Sequence, residues 1–521
     1  MRRSRLVALA VALTLPLLAG LQSVPASGAA AAADTYASIS GSGSTWSQVA
    51  LDQWSKDVKQ NGITVNYNGT GSSAGRSDFA QGVTDFGVSE IPFQSHPEDG
   101  STPEDPRRPF SYMPIVAGGT SFMYHLTQNG KRVDNLRLSG DTIAKIFTGQ
   151  IKNWNDPAIT KDMGGVAMPS KKITPVLRSD GSGTTAQFTL WMSKEYPSIW
   201  QGFSHKKGLT SYYPNVPGGK AQNGSNGVAN YVSASYGDGA IGYVEYAYAL
   251  NAGYPAVKVL NKSGYYVLPT ASNVGVALLQ AQIDQQSGAN YLTQILDGVY
   301  AASDKRAYPL SSYSYMIVQR DKATGIFNAA KGKTLSTFIN YFLCSGQQKA
   351  PELGYSPLPK NLVVAALQQV AHIPGHINVS TSDAYLQTCN NPTFKGGKNT
   401  LIDTAPFPQA CDKAGSVPCG STSGGAGGNT NKGNQTASPT ANPSGLNGPN
   451  GLNNQTGPNG QTGPVSNAFA EPVQVGARSG FGPAIGFVSA GVLLAALLVP
   501  PVLTAFLRGR RRRPRPEDPR S

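Results

Sequence analysis

Two periods of apolar residues alternate along residues 34–378. Trp46, Val49, Ala50, Trp54 and Val58 recur at helical spacing, and the run stops at Asn61-Gly62. Ile63, Val65 and Tyr67 alternate with polar residues, as in a half-buried strand. The stretch around Phe79 is helix-like, and residues 85–88 read as the next strand. Residues 138–146, 184–194 and 227–233 predict further helices, and residues 240–244 predict a buried strand. Such alternation implies an α/β architecture with helices packed on sheets. About 340 residues exceed what one small core holds, so two lobes are expected.

The ends of the chain read differently. Residues 1–33 open with Arg2, Arg3 and Arg5, continue with an apolar run over 6–21 and finish on Ala31-Ala32-Ala33. That pattern predicts a secretory signal peptide, and the short run containing Pro16 fits a transmembrane helix poorly. Residues 420–478 are rich in Gly, Asn, Ser, Thr and Pro and nearly free of large apolar side chains until close to their end. They predict a disordered linker reaching roughly 40 Å r.m.s.. Residues 479–507 hold an uncharged apolar stretch that predicts one transmembrane helix, with Pro500 and Pro501 expected to kink it. The arginine-rich tail at 508–521 is expected on the cytoplasmic side, which leaves the folded part extracellular.

Charge adds little beyond targeting. Of the net +14, the seven arginines of the tail less Glu517 and Asp518 contribute +5, and the leader contributes +3. The remaining +6 is a weak attraction for anions, and no nucleic-acid partner is expected. Cys344, Cys389, Cys411 and Cys419 suggest disulfides in an exported chain. Three connectivities are open; the expectation adopted is Cys411–Cys419 closing a small loop and Cys344–Cys389 stapling a Cys-containing extension at 379–419.

Three segments share one chemical design. Gly41-Ser42-Gly43-Ser44-Thr45-Trp46, Gly69-Thr70-Gly71-Ser72-Ser73-Ala74-Gly75 and Asp180-Gly181-Ser182-Gly183-Thr184-Thr185 each place glycines and hydroxyls where a strand gives way to a helix. Backbone N–H groups at a helix N-terminus attract anions, and Ser or Thr adds a hydroxyl donor. One such turn alone is an ordinary helix cap. Three, with Arg178 just before Asp180, point to an oxyanion.

These segments, in this order, resemble the phosphate-binding (PstS) family, the substrate-binding subunit of the phosphate-specific ABC transporter. The resemblance covers almost all of residues 38–368. It extends through Asp85-Phe86-Gly87-Val88-Ser89-Glu90, Gly149-Gln150-Ile151-Lys152-Asn153-Trp154 and Gly239-Ala240-Ile241-Gly242-Tyr243-Val244-Glu245-Tyr246 to Tyr355-Ser356-Pro357. It implies a hinged, two-lobed type II periplasmic-binding-protein fold. Lobe I would hold approximately 34–117 plus 269–378, and lobe II approximately 118–268. It further implies that Thr45, the Trp46 N–H and Ser72 donate to phosphate from one lobe. Arg178, Ser182, the Gly183 N–H and Thr184 would donate from the other, with Asp180 orienting Arg178. A guanidinium fork and neutral donors suit a dehydrated phosphate. Permease and ATPase subunits are the implied partners, since the chain lacks a Gly-x-x-x-x-Gly-Lys-Ser/Thr motif of its own.

Glu90 stands where the family has Asp, and Trp46 where it has Phe. A carboxylate facing the ligand accepts a hydrogen bond from protonated phosphate and repels sulfate. Glu90 keeps that acceptor about 1.5 Å further out (one C–C bond). No enzyme is expected: Ser182 lies outside a Gly-x-Ser-x-Gly motif, and His96, His125, His205, His372 and His376 form no triad pattern. Neither a metal nor a cofactor is expected. His372 and His376 flank Pro374 and read as an exposed turn. Two alternatives remain in view. One is a surface interaction or phosphate-sensing protein of the same fold, and the other is a receptor for another tetrahedral oxyanion.

Overall fold

A computed structural model describes residues 35–420. The leader, the linker beyond Gly420, the expected membrane span and the basic tail lie outside the described residues. Among those described, no helix is long and apolar enough to cross a membrane.

The chain opens on strand β1 (Ile39–Gly43), helix α1 (Gln48–Lys59), strand β2 (Val65–Asn68), helix α2 (Ser72–Ala80) and strand β3 (Phe86–Ser89). Helix α1 buries Ala50, Trp54 and Val58, as its spacing predicts, together with Leu51, while Val49 is half-buried. β2 alternates half-buried and exposed residues because it is the edge strand of the sheet. β1 pairs in parallel with β2 on one side and β3 on the other.

Strand β4 (Phe110–Tyr124) organises the whole domain. Its first part, 110–119, runs antiparallel to strand Ser311–Gln319, which in turn pairs with β3. Its last part, 120–124, runs antiparallel to strand Ala240–Glu245, which continues to Thr174–Arg178 and Lys220–Gln222. The two lobes therefore share one eight-stranded hydrogen-bonded order, and the lobe boundary expected near 117/118 lies inside β4. The change of partner falls at Gly118-Gly119-Thr120. Gly118 packs on the Trp46 ring and Gly119 on Pro269 and Tyr308, so no side chain would fit at either glycine. After lobe II the chain returns through 267–271 into helix Ala271–Leu278, which lies against β4 and strand 311–319.

Neither β4 nor strand 311–319 shows a clear period in the sequence. Both are buried on two faces, so the alternation that marks a half-exposed strand is missing. The disulfides are Cys344–Cys389 and Cys411–Cys419. His372 and His376 sit at either end of a turn, with His372 Nδ1 3.3 Å from Asp321 and His376 Nδ1 against the Ile373 carbonyl.

Candidate anion-binding site

The three Gly- and hydroxyl-rich turns meet between the lobes. β1 delivers Thr45 and Trp46, the start of α2 delivers Ser72, and the residue after β3 is Glu90. From lobe II, strand Thr174–Arg178 ends on Arg178, and helix Gly183–Glu195 begins at Gly183 with Ser182 as its N-cap. Thr45, Trp46, Ser72, Glu90, Arg178, Ser182 and Thr184 are all buried.

Arg178 and Asp180 form a fork-to-fork pair. Nε donates to Oδ1 at 2.8 Å, and Nη2 donates to Oδ2. The Gly224 N–H donates to the same Asp180 Oδ1 at 3.0 Å. Burial alone would raise the Asp180 carboxyl, but the Arg178 hydrogen bonds and charge, with Gly224, hold it below the usual range. Arg178 Nη1 faces Thr184 Oγ1 at 3.3 Å. The guanidinium is thereby fixed in one plane, with Asp180 on one side and hydroxyls on the other.

The lobes also hydrogen-bond each other directly. The Gly183 N–H donates to Ser72 Oγ at 3.0 Å, and the Ser73 N–H donates to the Gly181 carbonyl at 3.0 Å. Two glycines permit this approach. Gly71 has φ +95°, and a Cβ there would stand 2.5 Å from Asp180 Oδ2; a Cβ on Gly183 would stand 2.1 Å from Glu90 Oε2.

Glu90 is held from several sides. Ser72 Oγ donates to Oε2 and Ser314 Oγ to Oε1, both at 2.9 Å. Its own carbonyl accepts from Gln187 Nε2 at 2.8 Å and from Gln294 Nε2 at 3.1 Å. Burial pushes the carboxyl above its ordinary range, partly offset by hydrogen bonds from Ser44, Ser314 and Ser72 and by the Arg178 charge. The longer side chain thus reaches the seam between the lobes and stays in contact with Ser72.

Two assigned roles differ in detail. The Trp46 N–H, expected to face the ligand, donates to Ser44 Oγ at 2.9 Å, because the turn folds the preceding hydroxyl back over it. Ser182 Oγ accepts from the Thr185 N–H at 3.1 Å as a helix cap, which leaves its hydroxyl hydrogen as the part able to donate outward.

Two further residues escaped the sequence reading. Ser225 begins the second turn-to-helix step of lobe II, in helix Gly224–Ser233. Its N–H donates to Thr45 Oγ1 at 3.0 Å, its hydroxyl lies 3.0 Å from the same atom, and Arg178 Nη1 lies 3.4 Å from it. Gly224-Ser225 is a fourth, shorter copy of the Gly–hydroxyl turn, so a looser pattern would have found it. Ser314 lies mid-strand with no local signal at all. Among the described residues, no group of three or more His, Cys, Asp or Glu could hold a metal ion.

The family model of the PBP superfamily domain matches residues 28–345. A phosphate-binding protein PstS of Xylella fastidiosa (strain 9a5c) is 32% identical over 328 residues, 62% of this chain and 82% of the relative. PstS of Pasteurella multocida (strain Pm70) is 32% identical over 327 residues, covering 62% of this chain and 87% of its own. In fold, the chain is similar to a high-affinity periplasmic phosphate-binding protein (PfluDING) solved with bound phosphate. The TM-score is 0.50 at 17% identity, over 70% of this chain and 99% of that one. These relatives are phosphate-binding proteins. The chain belongs to the PBP superfamily and, within it, to the PstS-like phosphate-binding proteins.

Proposed function

We propose that the chain captures inorganic phosphate between its lobes and passes it to the permease and ATPase subunits of an ABC uptake system. The observation that carries this reading is the lobe-to-lobe set of Thr45, Ser72, Gly183 and Ser225 beside the Asp180-oriented Arg178 fork. Phosphate oxygens would take over hydrogen bonds that the lobes now exchange directly. The Arg178 charge and several neutral donors would then replace the hydration shell. Glu90 would accept the phosphate proton. A signal peptide over 1–33 would export the domain, and an apolar span over 479–507 would hold it at the cell membrane by a linker, with the C-terminus cytoplasmic. Both rest on the residue pattern alone.

Calorimetric titration of the purified chain with phosphate, sulfate and arsenate tests the reading. Phosphate is expected to bind at least as tightly as arsenate and far more tightly than sulfate. Ser225→Ala removes one hydroxyl donor to a charged ligand and is expected to weaken phosphate about tenfold. Failure of every oxyanion to bind would instead favour an interaction protein built on this fold.

A further inference from the structure

The extension at 379–419 lies beyond the part of the chain that the family model matches. It crosses from one lobe to the other. Its first part is bolted to lobe I: Cys389 is bonded to Cys344, Tyr385 donates to Asn340 at 2.7 Å, and Gln348 donates to the Cys389 carbonyl at 2.8 Å. Asn391 and Thr393 then donate to the Leu358 carbonyl at 3.0 and 2.8 Å. The short helix Thr400–Asp403 packs on helix Ala271–Leu278 at the return crossing. Arg306 Nη1 donates to the Ile402 carbonyl at 3.1 Å and the Ala405 carbonyl at 3.4 Å.

The last part belongs to lobe II. The ring closed by Cys411–Cys419 presents the Cys411 carbonyl to Arg137 Nη1 at 2.7 Å and the Ser416 carbonyl to Arg137 Nη2. Asp412 pairs with Lys258 at 2.6 Å, and the Ala414 N–H donates to the Gly264 carbonyl at 2.9 Å. Arg137 and Lys258 stand on a small sheet joined to β4, since the Val257 N–H donates to the Phe122 carbonyl at 2.9 Å. Between the Ala405 and Cys411 anchors lie only Pro406, Phe407, Pro408, Gln409 and Ala410. Six residue steps reach at most about 21 Å, and two prolines keep the segment extended and stiff.

We propose that this extension, running alongside the Asn261 side chain's hydrogen bonds to the Lys305 and Ala307 carbonyls, is a third chain crossing between the lobes, after β4 and 267–271, that limits opening and so slows ligand release. Its effect on release rests on the phosphate reading; its effect on lobe motion does not. Opening must break the lobe-to-lobe hydrogen bonds of Ser73, Gly183 and Ser225, so hydrogen exchange of those amides reads it without ligand.

Two variants of the full chain test the idea. Pro406→Gly with Pro408→Gly slackens the bridge and leaves every anchor in place. Cys411→Ser with Cys419→Ser loosens the ring on Arg137. In the ligand-free chain, both are expected to speed exchange of the three amides on the order of tenfold, and to speed phosphate release by a similar factor. Exchange at Ser73, Gly183 and Ser225 that matches wild type in the proline variant would overturn the proposal, whatever the cysteine variant does. A chain that binds no phosphate but shows faster exchange would remove the uptake reading and support the strap.

Discussion

Replacing Glu90 by Gln keeps the length of the side chain and removes its charge. In the folded chain the carboxylate accepts from Ser72 and Ser314 at 2.9 Å and lies in the seam that Gly183 closes. A hydrogen bond to a charged group contributes about 1.5–3 kcal/mol net. Losing it from the phosphate proton should raise the phosphate Kd by about 10- to 150-fold. Sulfate has no proton to donate, and the amide of Gln offers it a donor where the carboxylate repelled it. Sulfate should therefore bind more tightly in the variant. Calorimetry at neutral pH with both anions measures the ratio of their affinities, and an unchanged ratio would refute the reasoning.

The same residue carries a pH signature. Burial raises the Glu90 pKa, so it takes up its proton earlier than an ordinary glutamate as pH falls. Wild-type selectivity should decay in mildly acidic buffer, while Glu90→Gln should show a flat, low ratio. For stability the sign is the reverse of a salt-bridged acid. The folded state holds the Glu90 proton more tightly than the unfolded chain does. Its contribution is fully present below the unfolded value of about 4.3 and is lost as pH rises through the folded value. The permanently neutral variant should therefore be the more stable ligand-free protein at neutral pH.

Asp180→Asn leaves Arg178 without its buried counter-charge and is expected to cost about 3–5 kcal/mol in urea unfolding, with phosphate affinity falling as the guanidinium loses its orientation. Because Asp180 titrates below the usual range, its contribution is present above the unfolded value of about 3.9 and fades as pH falls through the folded one. The variant should flatten that acid limb, and a loss below about 1 kcal/mol would mean that Arg178 finds another partner. Cys344→Ser with Cys389→Ser opens a loop of 45 residues and should lower stability by about 4 kcal/mol, a difference that disappears when both proteins are fully reduced.

The Gly- and hydroxyl-rich turns were legible because their chemistry is local. Glycines and hydroxyls at a strand-to-helix step act through adjacent backbone, and Arg178 and Asp180 are two residues apart. Helix α1 was legible for a similar reason, since its buried face repeats every three to four residues. β4 was not, because a strand buried on both faces loses its period, and its exchange of partners at Gly118-Gly119 depends on strands more than a hundred residues away. Ser314 meets Glu90 across 224 residues, and Ser225 meets Thr45 across 180. No local pattern encodes such pairs.

The residue order by itself thus determined the α/β class, through short-range periodicity, and the family, through the resemblance of its Gly- and hydroxyl-rich segments. Which hydroxyls and amides face each other, how Glu90 is held among serines, and that the extension joins both lobes were decided only by the tertiary structure. Those relations depend on distances between lobes. The chain sets them through packing at β4 and the return crossing, and not through any neighbouring residues.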